Sequence, residues 1–99
     1  MTSWAFLSAT ELAQKIRDGA ISSIALTEYF IERIERWDND INAVVVRTFE
    51  DARRAALAAD QAAADGRWLG PLHGVPMTIK ESFDLAGHPS TFGRPDDQR

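Results

Sequence analysis

Apolar and polar residues alternate along much of the chain with the period of an α-helix. The clearest case begins after the pair Ser22-Ser23, where large apolar side chains recur every three or four residues: Leu26, Phe30, Ile34 and Trp37. Glutamate and arginine fill the positions between them, so one face is apolar and the opposite face is charged. This pattern predicts a long helix that packs by its apolar face and ends at the polar residues 38–40.

A shorter helix is predicted before it. Ser8 and Glu11 have the residue types and the spacing of a capping box, in which each side chain accepts a hydrogen bond from the other residue's main chain. Leu7, just before the cap, is placed to pack on Leu12 as a hydrophobic staple. We therefore expect a helix over residues 9–18, with Gly19 at its carboxyl end.

Two further segments have the pattern of strands. The segment of residues 41–47 is short and rich in β-branched side chains, which favours a buried strand. Residues 75–80 alternate apolar and polar side chains with a period of two. Between these segments, an alanine-rich stretch from Thr48 to Gly66 predicts a third helix, since alanine is the best helix former.

The predicted fold class is α/β: two N-terminal helices followed by a βαβ unit with parallel strands and a right-handed crossover. A parallel sheet normally has more than two strands and both faces covered. Here the outer strand edges would lie open, and open edges invite self-association or pairing with a partner chain. Residues 1–99 therefore resemble the beginning of a larger α/β domain.

Composition narrows the function classes. The chain has 99 residues, a formal charge of −4 and no cysteine, which leaves room for one small domain and removes disulfides, cysteine-based zinc sites and a thiol nucleophile. No basic patch suggests direct binding to nucleic acid. The two histidines lack metal-binding spacing and no phosphate-binding motif occurs, so we expect neither a metal nor a cofactor. No apolar run approaches the ~20 residues of a membrane span, and a cytoplasmic location is expected.

The most informative residue is Lys80. It follows a predicted strand face of Val75, Met77 and Ile79, and the carboxyl ends of strands are where reaction sites gather in α/β sheets. A lysine that ends a strand is more often an ordinary solvated charge, because lysine is rarely buried without a partner. The pattern alone leaves both interpretations open.

The whole stretch decides between them. Residues 70–87, GPLHGVPMTIKESFDLAG, resemble the segment that carries the catalytic lysine of the amidase signature family, the Ser-cisSer-Lys amide hydrolases. The residues at matching spacing are Gly70, Pro71, Gly74, Pro76, Lys80 and Gly87. The similarity runs over residues 8–95. Glu81-Ser82 and Arg94-Pro95 depart from the commonest family pattern, which concerns the subfamily and not the lysine.

The resemblance implies that Lys80 is the catalytic lysine of a hydrolase of carboxylic amide C–N bonds. A neutral lysine would accept a proton that the cis-serine relays from the nucleophilic serine, and burial would have to lower its pKa from the ordinary ~10.4. The Gly/Ser-rich stretch that carries both serines does not occur in these 99 residues. We therefore expect an N-terminal fragment that is inactive by itself and belongs to an enzyme for a small-molecule amide.

Several alternatives stay open. Ser82 could pair with Lys80 or His73 as nucleophile and base, although a loop histidine that makes a structural hydrogen bond is the more ordinary role for His73. The chain could instead be a non-catalytic interaction module, a truncated gene remnant, or a piece of the amidase subunit of a tRNA-dependent amidotransferase.

Overall fold

The described part of the chain is helical. The computed structural model describes residues 4–41, 43–44 and 46–78. In these ranges a 3₁₀ turn, Trp4–Phe6, precedes three α-helices, α1 (Ala9–Arg17), α2 (Ser23–Ile41) and α3 (Phe49–Ala64). No strand occurs in these ranges. The α/β prediction, with its βαβ unit, is therefore wrong.

The first predicted strand, residues 41–47, fails because a carboxylate takes its main-chain donors. Helix α2 continues through residues 38–40 and ends at Ile41. The buried Asp38 then accepts the N–H of Ala43 at 2.8 Å and of Val44 at 3.1 Å, which bends the chain back over the end of α2. These N–H groups are the donors that a sheet would require, and β-branched side chains alone do not fix a strand.

The second predicted strand, residues 75–80, is irregular over residues 75–78, and Ile79 and Lys80 lie outside the described residues. Val75 packs against the apolar core, but Met77 is 70% exposed. The alternating pattern therefore does not produce one buried face. Alternation indicates a strand only where a neighbouring strand supplies the ladder.

Helix α1 begins and ends as predicted. The Oγ of Ser8 accepts the N–H of Glu11 at 3.1 Å, and the carboxylate of Glu11 accepts the N–H of Ser8 at 3.0 Å, which confirms the capping box. At the other end Gly19 has a φ of 77°, and the N–H groups of Gly19 and Ala20 bond the carbonyls of Ile16 and Lys15. This is a Schellman motif, which needs a residue that tolerates the left-handed conformation.

The core lies between α1, the turn after it and α2. Its buried apolar members are Leu12, Ile16, Ile21 and Leu26, and the half-buried side chains packed on them are Trp4, Leu7, Phe30 and Val75. The positions of Leu7 and Leu12 agree with the predicted staple. The predicted stripe of α2 is correct at Leu26, which is fully buried, whereas Trp37 at its far end is 53% exposed.

Helices α2 and α3 form the principal helix pair. The buried residues of α3 are Ala56 and Ala62, whose small side chains let the two helices approach closely. An ion pair between Arg53 and Glu28 joins the helices at the surface. Among the helices of the described ranges, none is both long and apolar enough to cross a bilayer.

Candidate functional site

Lys80, the residue that the sequence singles out, lies outside the described residues. The structure does describe the segment that leads to it, residues 70–78, which we call the approach loop. This loop is attached to all three helices through His73, Gly74 and Val75. These attachments fix the position of the main chain shortly before Lys80 in the sequence.

His73 holds the approach loop to α3. Its imidazole is buried, Nε2 lies 2.8 Å from the main-chain oxygen of Ala59, and Nδ1 lies 3.1 Å from the main-chain N of Leu69. A carbonyl only accepts and an amide N–H only donates, so Nε2 carries the proton and Nδ1 accepts. The predicted structural hydrogen bond of His73 is confirmed. Both ring nitrogens are occupied, which argues against His73 as a base for Ser82, a residue outside the described ranges.

The imidazole of His73 also forms one end of a row of packed side chains that extends to α1. Trp68 meets the ring of His73 edge to face, with ring centroids 4.9 Å apart. The guanidinium of Arg17 lies 5.3 Å from the centroid of the Trp68 ring, within the range of a cation–π contact. The start of the loop is thus packed against the carboxyl end of α1.

Gly74 is the point where the approach loop comes closest to α2. Its φ is 79°, and a β-carbon at this position would lie 3.1 Å from the Cβ of Ser23. The Oγ of Ser23 donates a hydrogen bond to the carbonyl of Gly74 at 2.6 Å. Both the left-handed conformation and the close approach require glycine here.

Asp60 of α3 completes the arrangement by capping α2 from outside that helix. Its carboxylate accepts the N–H of Ser23 at 2.7 Å and of Ile24 at 3.0 Å. The next N–H, that of Ala25, donates to the Oγ of Ser22 at 3.1 Å. A carboxylate is favourable at a helix N-terminus, where free N–H groups and the helix dipole present positive charge.

These contacts meet at one place, which we call the junction: Ser23, Ala59, Asp60, His73 and Gly74. Ala59 and Asp60 are consecutive in α3, and His73 and Gly74 are consecutive in the approach loop. Ser23, which is only 2% exposed, bonds both partners, with its N–H to Asp60 and its hydroxyl to Gly74. The junction therefore links the amino end of α2, the carboxyl-terminal half of α3 and the approach loop.

Sequence reasoning did not find Asp60. One signal was present: Asp60 lies four residues after Ala56 and three before Ala63, on the same stripe of the helix as these alanines. A lone carboxylate on such a stripe requires a buried partner. The amino end of α2 is the partner that the structure supplies.

The serines of the described ranges all serve helix ends. The hydroxyls of Ser8 and Ser22 accept main-chain N–H groups, and that of Ser23 donates to Gly74. In the same ranges no group of three histidine, aspartate or glutamate side chains is placed to hold a metal ion. The junction can fix main-chain geometry, because its hydrogen bonds all involve main-chain groups.

Comparison with known proteins identifies the family. The family model described as Amidase matches residues 25–98, which include the approach loop and Lys80. An indoleacetamide hydrolase of Bradyrhizobium diazoefficiens is 46% identical over 88 residues, which are 89% of this chain and 17% of that protein. The chain belongs to the amidase family.

Other relatives carry different activities in their names. An acylamidase of Rhodococcus erythropolis is 39% identical over 89% of this chain and 18% of its own length. A glutamyl-tRNA(Gln) amidotransferase subunit of Streptomyces coelicolor is 38% identical over 88% of this chain and 18% of its own length. The chain thus spans less than a fifth of the length of each of these relatives.

Proposed function

We propose that this chain supplies the catalytic lysine, Lys80, of an amidase that hydrolyses a carboxylic amide C–N bond in a small-molecule substrate. The observation that carries the proposal is the family match over residues 25–98, which spans Lys80 and the motif around it. The serine partners would come from outside these 99 residues, since no Gly/Ser-rich stretch occurs within them. A cytoplasmic location is part of the same proposal.

The proposed chemistry is acyl transfer. The neutral Nζ of Lys80 accepts a proton that one serine relays from a second, and the oxygen of that second serine forms a bond to the amide carbonyl carbon. The C–N bond breaks, the amine leaves with a proton, and water later hydrolyses the acyl-enzyme. Lysine serves as this base only where desolvation lowers its pKa, so the lysine has to be held at a fixed place inside the complete enzyme.

A second candidate is the amidase subunit of a tRNA-dependent amidotransferase, which the relative from Streptomyces coelicolor favours. The higher identity to the indoleacetamide hydrolase, 46% against 38%, favours an amidase for small amides. Self-association or docking on a partner chain stays a prediction. The described ranges contain no strand edge for it, but they expose large apolar side chains such as Leu69 and Met77.

A chimeric enzyme tests the proposal. The segment of the Bradyrhizobium indoleacetamide hydrolase that matches this chain is replaced by residues 1–99, and hydrolysis of indoleacetamide is measured as ammonia release. We expect the chimera to be active and Lys80→Ala to lower kcat by roughly a thousandfold or more, as loss of a base does in nucleophilic catalysis.

Lys15 provides the matched control, since Lys15 and Lys80 are the two lysines of the chain. Lys15 lies on α1, and Lys15→Ala should keep the kcat of the chimera within about twofold, because alanine preserves the helix. Activity that survives Lys80→Ala would contradict the proposed role.

A further inference from the structure

We propose that Ser23 and Asp60 are positioning residues for Lys80, acting through the junction on the start of the approach loop. The inference rests on the proposed function, because it assigns these two residues a part in the reaction of Lys80. Neither residue is placed to touch the substrate. Their role is to fix the main chain from which the lysine is presented.

The hydroxyl of Ser23 fixes the position of the approach loop relative to α2. The Oγ of Ser23 lies 2.6 Å from the carbonyl oxygen of Gly74. Because Ser23 is only 2% exposed, bulk water does not reach this hydrogen bond to replace it. The close approach of Gly74 to Ser23 leaves no room for a sliding movement towards α2. Ser23 therefore holds Gly74 both by a hydrogen bond and by close packing.

Asp60 in turn fixes the position of Ser23. Its two carboxylate oxygens bond the N–H groups of Ser23 and Ile24. The neighbouring residue, Ala59, bonds the imidazole of His73 in the approach loop at 2.8 Å. Since Ala59 and Asp60 are consecutive, a single turn of α3 sets the distance between the amino end of α2 and the loop.

A short stretch of chain separates the junction from Lys80. Lys80 is six residues after Gly74. Six extended residues reach up to about 20 Å, so an unfixed start would let the lysine occupy many places. A misplacement of about 1 Å costs roughly a hundredfold in rate where a reacting group must be aligned. The junction fixes the point from which these six residues start, at the nearest place where the described chain contacts the helices by hydrogen bonds.

The adjacent serine separates positioning from helix capping. The hydroxyl of Ser22 caps the same helix by accepting the N–H of Ala25, and it is on the exposed side of the helix end. Ser22→Ala and Ser23→Ala thus each remove one hydroxyl at the amino end of α2. Ser23 is the one of the two whose hydroxyl bonds the approach loop.

The first measurement is amide hydrogen exchange on the 99-residue chain by NMR. The N–H of Val75 donates to the carbonyl of Leu72 at 3.1 Å, and that of Leu69 donates to His73, so both amides report on the loop. We expect Ser23→Ala and Asp60→Ala to speed their exchange at least about tenfold relative to Ser22→Ala. Equal exchange in Ser22→Ala and Ser23→Ala would overturn the inference.

The second measurement uses the chimera, at a temperature where circular dichroism shows each variant to be folded. Ser23→Ala and Asp60→Ala should lower kcat by about ten- to a hundredfold and keep KM within about twofold, since substrate contacts are unchanged. Ser22→Ala should keep both values. An equal kcat in all of these variants would overturn the positioning role, even if the loop exchanges faster.

The two proposals fail in different ways. A chimera that is inactive, or whose activity survives Lys80→Ala, would overturn the proposed function and the positioning role with it. A chimera that depends on Lys80 but is indifferent to Ser23 and Asp60 would overturn the positioning role alone.

Discussion

At the scale of single residues, buried polar side chains supply the hydrogen-bond partners that a neighbouring strand would otherwise give to the main chain. Ser23, Asp38 and His73 are each buried, and each bonds a main-chain group of an irregular segment. Main-chain groups that leave water have to find partners. In this chain, buried side chains supply these hydrogen-bond partners to the loops that run beside the helices.

Gly74 gives the sharpest prediction at this scale. Gly74→Ala should lower the free energy of unfolding by about 3 kcal/mol or more, since it adds the strain of a left-handed residue to a close contact with Ser23. Gly66→Ala is the control, because Gly66 has a φ of 77° with no atom within 4 Å of an added Cβ. It should cost only about 1–2 kcal/mol. Urea unfolding measures both, and equal losses would show that the close approach carries no energy.

Asp38 allows a similar comparison within one helix. Asp38→Ala should cost about 2 kcal/mol, because the N–H groups of Ala43 and Val44 lose their acceptor. Asp40→Ala, at an exposed position of the same helix, should change stability by no more than about 0.5 kcal/mol. Thermal unfolding of the two variants checks this, and a smaller loss for Asp38→Ala than for Asp40→Ala would contradict the role of Asp38.

At the scale of elements, the sequence predicts those features that depend on a few neighbouring residues. The capping box at Ser8, the glycine after α1 and the bounds of α3 involve partners within five positions, and the structure has them. Thr48 does occupy the N-cap position of α3, yet its side chain makes no capping hydrogen bond. The local sequence pattern thus predicts where the helices begin and end more accurately than it predicts the individual capping hydrogen bonds.

The strands and the junction depend on distant residues, and there the sequence was less informative. A strand needs a partner that local β-propensity does not specify, and Asp38 captured the donors of residues 43 and 44. The junction joins residues that are 37 and 51 positions apart. Lys80 is singled out by a resemblance in the chain around it, and its role stays a prediction, whereas the partners of Asp60 are set by the packing of α2 on α3.

The capping box predicts a pH dependence of stability. Hydrogen bonds from the main chain and the hydroxyl of Ser8 hold the pKa of the Glu11 carboxyl below its ordinary value, with a smaller contribution from Lys15. A carboxyl whose pKa is lower in the folded chain stabilises it above the unfolded pKa, and this contribution disappears as pH falls through the folded value. We therefore expect part of the stability to be lost below about pH 4.5.

Glu11→Gln isolates that contribution. Glutamine retains an oxygen that accepts the N–H of Ser8 but has no charge to titrate. The difference in melting temperature between the wild type and Glu11→Gln should therefore shrink between pH 6 and pH 3. A difference that is constant over this range would show that the carboxyl of Glu11 does not contribute through its ionisation.

At the scale of the whole molecule, the described chain exposes an apolar surface that is suited to packing against further polypeptide. Four large apolar side chains between residues 68 and 77 are at least 38% exposed, in and just before the approach loop: Trp68, Leu69, Leu72 and Met77. The chain spans 17% of its relative from Bradyrhizobium. Soluble proteins rarely leave several large apolar side chains exposed together, so this surface is suited to contact with further polypeptide.

The final prediction is that the 99-residue chain hydrolyses no amide by itself. Its three described serines use their hydroxyls at helix ends, so none of them is free to act as a nucleophile beside Lys80. Without a serine to deprotonate, a lysine base has no proton to accept. Purified chain incubated with simple aliphatic and aryl amides should release ammonia no faster than buffer. Turnover that disappears in Lys80→Ala and persists in Lys15→Ala would show instead that a nucleophile within these residues, such as Ser82, completes a site.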